Sequence, residues 1–205
     1  EPSKYQTTLP DFSNLSAKDT KSHVSSLLKD QRQRIKILIK DNTKPSFSLV
    51  SEIEDMHHKL SKVFSPISHL QNVLDDPDWR KAYNSCIPLL TEYGTELSQD
   101  PDLEKAYSYV MENLNDKNSS EFALLEKELR NFNLNGVNLS TNKKLKFKKL
   151  KKKLSIVQAT FGQNVQDSTD SWCYLTDKKS EISGVTDEIL MQAKMRAKKK
   201  NKKGW

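Results

Sequence analysis

A chain of 205 residues, of which 35% are hydrophobic and 30% charged, can bury a sizeable core and is too apolar to be disordered. Only five Gly and seven Pro are present, which favours helices over hairpin-rich sheets. The sequence lacks the run of about 20 apolar residues that a membrane span requires, so no membrane partner is expected. Because the amino terminus has no pattern of a secretion signal, we expect a soluble cytoplasmic protein.

The net charge of +7 comes mainly from two lysine-rich segments. Residues 143–153 contain eight lysines, and residues 194–203 contain six lysines and Arg196. Of the 34 basic residues 29 are lysine, whereas bidentate recognition of phosphates and bases depends on arginine. We therefore expect the two segments to be solvated surfaces, and we do not expect a nucleic-acid partner. The alternative is a stand-alone helical module that binds nucleic acid or another acidic partner through these segments.

Residues 1–15 are predicted to form an extended arm, in which Leu9 and Phe12 can dock on a helical body. A first helix should begin after Ser16 and end near Asn42. A second should begin at Ser46 and continue for about seven turns, bent at Pro66. Apolar residues recur at three- and four-residue intervals in both segments, at positions 24, 27, 28, 35, 38 and 39, then 47, 50, 53, 56, 60, 63, 64, 67, 70 and 74.

Two Asp-Pro pairs mark the next helix starts, Asp76-Pro77 and Asp100-Pro101. The acidic side chain caps the helix, and proline at the first helical position loses no hydrogen bond. Ser119 or Ser120 should cap a further helix, and Gly136 lies in the clearest break of the middle of the chain.

The most regular apolar pattern predicts one long helix from about Thr141 to Leu175, and a last helix should begin at Thr186. Residues 16–205 are thus expected to form a single all-α domain, a bundle of about six to seven helices. Aromatic residues at helical spacing are interpreted as core rather than as a base-stacking platform: Trp79, Tyr83, Phe132, Phe147, Phe161 and Trp172.

Histidine and cysteine, which commonly bind metals or act in catalysis, are few in this sequence and do not occur in known catalytic or metal-binding patterns. None of the four histidines lies in an H-E-x-x-H arrangement, and the adjacent His57 and His58 point about 100° apart on a helix, too far to share one metal ion. His69 and Cys86 lack a residue that would orient them as a catalytic pair. Cys86 and Cys173 are expected to be reduced and mostly buried thiols. We therefore predict no catalytic, cofactor-binding or metal-binding residue in this chain.

Several motifs, in order and at similar spacing over essentially the whole chain, resemble the amino-terminal helical region of the oligopeptidase A and thimet oligopeptidase family. They are Leu9-Pro10-Asp11-Phe12, residues 63–70 (VFSPISHL), 88–93 (PLLTEY), 103–107 (LEKAY), 129–136 (LRNFNLNG), and Phe161 through Asn164-Val165 and Asp167 to Trp172. Each motif is weak alone, and their common register makes the resemblance specific.

The resemblance implies a two-lobed, mostly helical zinc metallopeptidase that cleaves short peptides inside a channel and excludes folded proteins. The family's zinc ligands lie far downstream, so zinc and catalysis are expected in the missing catalytic half of the same polypeptide. The implied role of this chain is a non-catalytic wall of the channel. Trp205 ends the sequence where the family's proteins continue, whether the chain was shortened in the laboratory or in evolution, and the segment 143–153 is more basic than the family leads us to expect.

Overall fold

The computed structural model describes residues 10–41, 43–74 and 76–205, and these residues are all-α. Two 3-10 turns, Phe12–Asn14 and Lys179–Ile182, accompany seven α-helices: α1 Ala17–Asp41, α2 Phe47–Leu74, α3 Pro77–Ser98, α4 Pro101–Glu112, α5 Ser120–Leu134, α6 Thr141–Ser171 and α7 Asp187–Lys199. The predicted all-α fold of about six to seven helices is confirmed. Within the described ranges, none of the helices has the length and apolar character that a membrane crossing demands.

Three helix starts follow from the local cap chemistry that the sequence predicted. The Asp76 carboxylate accepts a hydrogen bond of 2.8 Å from the Asp78 amide, and Asp100 accepts one of 2.9 Å from the Asp102 amide. The Ser119 hydroxyl caps α5 in the same way. Each cap satisfies amide groups that the first helical turn leaves without a partner.

Two apolar clusters form the core of the helices before α6. The first joins the carboxyl-terminal half of α1 to α2, α4 and α5, and contains the buried residues Ile35, Leu38, Leu49, Val50, Ile53, Leu103, Tyr107, Val110, Leu125, Phe132 and Val137. The second joins the amino-terminal half of α1 to α2 and α3, and contains Val24, Leu28, Ile67, Cys86 and Tyr93. Helix α1 therefore contributes one apolar stripe to both clusters, as its spacing predicted.

Pro66 and Pro88 lie inside α2 and α3, which continue through both prolines. The predicted bend at Pro66 stays a prediction. Most of the predicted arm, residues 1–9, lies outside the described residues.

Gly136 has a φ of 83°, and a Cβ built there would lie 2.5 Å from Leu139 Cδ1. The turn after α5 therefore needs a residue without a side chain.

Helix α6 differs from the prediction in the residue at which it ends and in the exposure of its side chains. It ends at Ser171 rather than Leu175, and none of its residues is buried. The core interpretation is wrong for Phe161 and Trp172, which are 68% and 75% exposed. Periodicity correctly identified an apolar stripe, but most of its large side chains are exposed, among them Leu150, Leu154, Val157, Phe161 and Val165. Cys173, which was expected to be mostly buried, is exposed.

The chain divides into two compact units, Glu1–Ala159 and Thr160–Trp205. The first contains both apolar clusters. In the second, the backbones of Thr176 and Trp205 pair through two hydrogen bonds of 3.3 and 3.0 Å, and Glu181 accepts hydrogen bonds from the Tyr174 and Thr176 hydroxyls. The predicted single domain over residues 16–205 stays a prediction.

Candidate functional site

An apolar cavity of about 470 Å³ lies between α2, α3, α4 and α5 in the first unit. Its apolar walls are Ile53, Leu60, Phe64, Leu90, Leu97, Leu103 and Phe132 with the rings of Tyr93 and Tyr107. Its polar edge is formed by His57, Ser61, Ser98, Glu128, Asn131 and Asn135. Apolar walls with a few polar groups are typical of ligand-binding pockets.

Helical spacing explains why these side chains converge. On α2, Ile53, His57, Leu60 and Phe64 are separated by four, three and four residues, which places them on one face. On α3 the corresponding face includes Gly94, and a Cβ added there would meet no atom within 4 Å. The missing side chain of Gly94 thus adds to the volume of the cavity.

Two carboxylates act on the hydroxyl of Tyr107, which lines the cavity. Burial raises the pKa of the Tyr107 hydroxyl, and the carboxylates of Glu54 and Glu128 raise it further. The Tyr107 ring meets Phe132 edge to face at 5.5 Å. The raised pKa favours the neutral hydroxyl of Tyr107 in the wall of the cavity.

The histidine and serine on this edge do not form a nucleophilic pair. His57 Nδ1 lies 3.5 Å from the Glu54 carboxylate, while the Ser61 hydroxyl lies 3.4 Å from the Ser65 hydroxyl. A serine nucleophile needs a histidine within hydrogen-bond reach of its own hydroxyl. Neither residue pair has the geometry of an activated serine.

A buried polar chain connects the first three helices beside the cavity. The Tyr93 hydroxyl donates to Gln31 Oε1 at 2.9 Å, and Gln31 Nε2 donates to the Met56 carbonyl at 2.6 Å. Burial raises the pKa of Tyr93 to about 12, so its hydroxyl stays a donor. Sequence reasoning missed Gln31, because a polar residue inside an otherwise amphipathic helix gives no sign of its distant partners.

A second network of four charged groups joins α1, α3 and α6. The Glu96 carboxylate forms ion pairs with Arg32 Nε at 2.8 Å and with Lys148 Nζ at 2.9 Å. Lys148 Nζ also lies 2.7 Å from the Glu92 carboxylate. Burial raises the pKa of Glu96, but hydrogen bonds and charge from Lys148 and Arg32 outweigh this and leave it lowered. The Arg32 guanidinium also lies over the Tyr93 ring, 5.2 Å from its centre. These contacts fix one end of α6 to the bundle.

Lys148 belongs to the lysine-rich segment 143–153, which was interpreted as a solvated surface. Lys148 and Lys144 instead contact another helix or its end, since Lys144 also donates to the Gln99 carbonyl at 2.9 Å. Lys151 lies over the Phe147 ring of its own helix, 5.5 Å from its centre. The other lysines of this segment are exposed.

The other candidate residues from the sequence are not brought together as a site. Cys86 is fully buried in the second apolar cluster, and burial raises the pKa of its thiol, which disfavours the reactive thiolate. His69 is exposed, and its ring lies 5.7 Å from the ring of Phe12. The prediction that the chain has no catalytic residue stays a prediction.

Zinc, which the family resemblance implies, does not fit the side chains present. Across residues 10–41, 43–74 and 76–205, no group of three His, Cys, Asp or Glu residues is placed to hold a metal ion. A zinc site needs three or four such ligands in a tetrahedral arrangement.

The fold is an all-α bundle of helices with an apolar cavity, and comparison with known proteins gives the family. Residues 24–144 match the family described as "Neurolysin/Thimet oligopeptidase, N-terminal domain". The chain belongs to this family, which confirms the resemblance found in the sequence.

Individual relatives agree with this assignment. The chain is 31% identical to oligopeptidase A of Haemophilus influenzae, over 96% of the chain and 29% of that protein. It is 28% identical to oligopeptidase A of Escherichia coli, over 96% of the chain and 29% of that protein. Saccharolysin of Saccharomyces cerevisiae is 28% identical over 72% of the chain and 21% of its own length. The chain thus spans less than a third of the curated relatives that it matches, and these matches do not support the alternative of a nucleic-acid-binding module.

Proposed function

We propose that this chain is the amino-terminal, non-catalytic part of a zinc-dependent oligopeptidase that cleaves short peptides. The observation that carries the proposal is the match of residues 24–144 to the amino-terminal domain of the neurolysin and thimet oligopeptidase family. The low coverage of the relatives supports the second half of the proposal, that catalysis and zinc belong to a longer polypeptide. The partners are then the catalytic half of that polypeptide and its peptide substrates.

The physical role that we assign to the chain is to form one wall of the substrate channel and to limit the size of what enters. Helices of 22 to 31 residues, such as α3 and α6, are about 33 to 46 Å long and satisfy their backbone hydrogen bonds internally. Two apolar clusters and the Arg32–Glu96–Lys148 network hold the helices of the first unit in place. We expect a wall of this kind to resist deformation and so to limit entry to short peptides.

The direct test compares the 205-residue chain with the parent polypeptide that extends through the downstream part. Internally quenched peptides of increasing length and one folded protein are the substrates, with and without added zinc. We expect no hydrolysis by the chain alone, and zinc-dependent hydrolysis of the short peptides only by the parent. Hydrolysis by the purified chain, or a parent that cleaves folded and short substrates equally well, would disprove the proposal.

A cytoplasmic location is also part of the proposal. Relatives differ in this respect, since one from Arabidopsis thaliana is named a probable cytosolic enzyme and another is named organellar. Fractionation of cells that express the tagged parent tests it, and recovery of the tag in an organelle or a membrane fraction contradicts it.

A further inference from the structure

The cavity between α2, α3, α4 and α5 has the size of a site for a small molecule. Its volume of about 470 Å³ lies within the range of about 300–1,000 Å³ that is common for ligand pockets. All of the described residues that line it belong to the first unit. Leucine and aromatic side chains such as Leu60, Phe64 and Leu97 form most of its walls. An apolar group that enters the cavity therefore exchanges contact with water for contact with apolar atoms.

The charge of the lining is opposite in sign to the charge of the chain. The chain has a net charge of +7. Of the described residues that line the cavity, none is lysine or arginine, and Glu128 alone has a carboxylate. A bound anion would therefore meet a like charge and no cation, whereas a bound cation would meet an opposite charge.

Neighbours on its own helix orient the Glu128 carboxylate. Asn131 Nδ2 lies 3.3 and 3.4 Å from its two oxygens. Lys127 Nζ lies 4.0 Å from Glu128 Oε1, but the Lys127 side chain is 64% exposed, so water screens this pair. The Glu128 side chain itself is only 27% exposed. Its negative charge is therefore only weakly compensated and can act on a group inside the cavity.

Tyr107, in the wall of the cavity, is exposed to the field of this carboxylate. Glu54 and Glu128 both raise the pKa of its hydroxyl, in addition to burial. Negative charge that disfavours a phenolate favours a positively charged group at the same place. His57 does not reverse the sign, because its Nδ1 lies 3.5 Å from the Glu54 carboxylate, which would offset a charge on the imidazole.

We propose that the cavity binds a small amine, whose apolar body lies among the leucine and aromatic side chains and whose ammonium group donates a hydrogen bond to the Glu128 carboxylate. The ligand class is a primary amine with an aromatic or branched aliphatic body. A carboxylic acid of the same shape is disfavoured by the like charge of Glu128, and an alcohol lacks the ion pair. The proposal goes beyond the proposed function, since it requires neither zinc nor a downstream part.

Three probes of similar shape separate the ammonium group from the apolar body: phenylbutylamine, phenylbutanol and phenylbutyrate. Each is titrated into the isotope-labelled 205-residue chain while the amide NMR signals of its glycines are recorded. Gly94 lines the cavity, whereas Gly162 and Gly184 belong to the second unit and serve as reporters away from it. The amine should shift the Gly94 signal to saturation and leave the other two in place. Its Kd should be about tenfold or more below that of the alcohol, as expected for a charge-assisted hydrogen bond, and the carboxylate should bind most weakly.

A matched pair of variants tests the role of the carboxylate. Glu128→Gln and Glu126→Gln each remove one negative charge from α5, but Glu126 is exposed and does not line the cavity. In Glu128→Gln the amine and the alcohol should bind with nearly the same Kd, because the amine has lost its ionic partner. Glu126→Gln should keep the preference of about tenfold for the amine.

A second pair of variants tests the cavity itself. A Cβ added at Gly94 would meet no atom within 4 Å, so Gly94→Leu can place its side chain in the cavity. It should weaken the binding of the amine and the alcohol alike by roughly tenfold or more, because the filled site clashes with both. The side-chain amide signal of Asn131, another lining residue, is then the reporter. Gly162→Leu is the control, since a Cβ there also meets no atom within 4 Å, and it should leave binding unchanged.

Several results would overturn the proposal. They are a Gly94 signal that the amine does not move, equal shifts of Gly162 and Gly184, an alcohol or carboxylate that binds as tightly as the amine, and a preference that survives Glu128→Gln. A Gly94 signal that moves with the concentration of the chain alone would show that a second copy covers the cavity, and it overturns the proposal too. Peptide hydrolysis by the longer parent is measured separately, so its outcome bears only on the proposed function.

Discussion

The Tyr93 hydroxyl donates a hydrogen bond of 2.9 Å to Gln31 Oε1 across 62 residues of sequence, and both side chains are at most 3% exposed. Because Gln31 also donates to the Met56 carbonyl, this one glutamine joins α1, α2 and α3. A buried amide with both ends satisfied fixes the register of the three helices, since any sliding would leave it without a partner.

Tyr93→Phe should lower the free energy of unfolding by about 1–3 kcal/mol, because it leaves the buried Gln31 oxygen without a donor. Urea denaturation measures the change. Tyr83→Phe is the control, since that half-buried ring stacks on Phe64 at 5.4 Å and keeps this contact in the variant. Equal stability of the two variants would show that the Gln31 contact contributes nothing.

The same contact predicts a loss of stability at alkaline pH. The pKa of Tyr93 rises from 10.0 to about 12 on folding, chiefly through burial. Its contribution is complete below pH 10.0 and disappears as the pH rises through about 12. The Tyr93→Phe variant should lose less stability than the wild type over this window in thermal unfolding at stepped pH.

Glu96→Gln should destabilise the chain by on the order of 0.5–1 kcal/mol near neutral pH, a small effect because the carboxylate is partly exposed. The pKa of Glu96 is lowered from 4.5 in the folded state, so its contribution is present above pH 4.5 and lost as the pH falls through the lowered value. Below that pH the variant and the wild type should have the same free energy of unfolding. Denaturant midpoints measured from neutral to acid pH test this.

Glu126→Gln, on an exposed position of α5, is the matched control for Glu96→Gln. It removes the same charge without touching Arg32 or Lys148. A control that shows the same acid dependence as Glu96→Gln would mean that net charge, and not the network, causes the effect.

What the sequence could and could not predict follows the range of each interaction. The starts of α3 and α4 were predicted to the residue because an Asp-Pro cap acts within three positions of itself. The Gln31 contact was not predicted, because its partner Tyr93 lies 62 residues away in the sequence and no local pattern connects the two residues.

The candidate site was predicted only in part for a similar reason. Periodicity identified the face of α2 that lines the cavity, and it also identified the apolar stripe of α6, but it does not tell whether another element covers a stripe. Phe161 and Trp172 were therefore assigned to the core and are exposed.

Gly94→Ala should raise the free energy of unfolding by about 0.4–1 kcal/mol, because alanine restricts the unfolded chain and favours the helix. The new Cβ points into open space beside the cavity and meets no atom within 4 Å. Gly136→Ala in the same unit should have the opposite sign, since its φ is 83° and Leu139 Cδ1 would lie 2.5 Å from the Cβ. Chemical denaturation of both variants measures the contrast, and a destabilising Gly94→Ala would contradict the open geometry.

Gly204→Ala should open the contact between Thr176 and Trp205 that closes the second unit. Gly204 has a φ of 100°, which disfavours any side chain, and a Cβ there would collide with the Thr176 carbonyl oxygen. That oxygen accepts the Trp205 amide at 3.0 Å. The collision should separate the two backbones and speed hydrogen exchange of the Trp205 amide by roughly tenfold or more.

Gly184→Ala distinguishes this collision from backbone strain alone. Gly184 has a φ of 87° in the same unit, but a Cβ there meets no atom within 4 Å. It should therefore cost only the left-handed strain of about 1–2 kcal/mol, while the exchange of the Trp205 amide stays as in the wild type. Equal exchange rates in the two variants would mean that the Thr176–Trp205 pairing does not depend on the space left by Gly204.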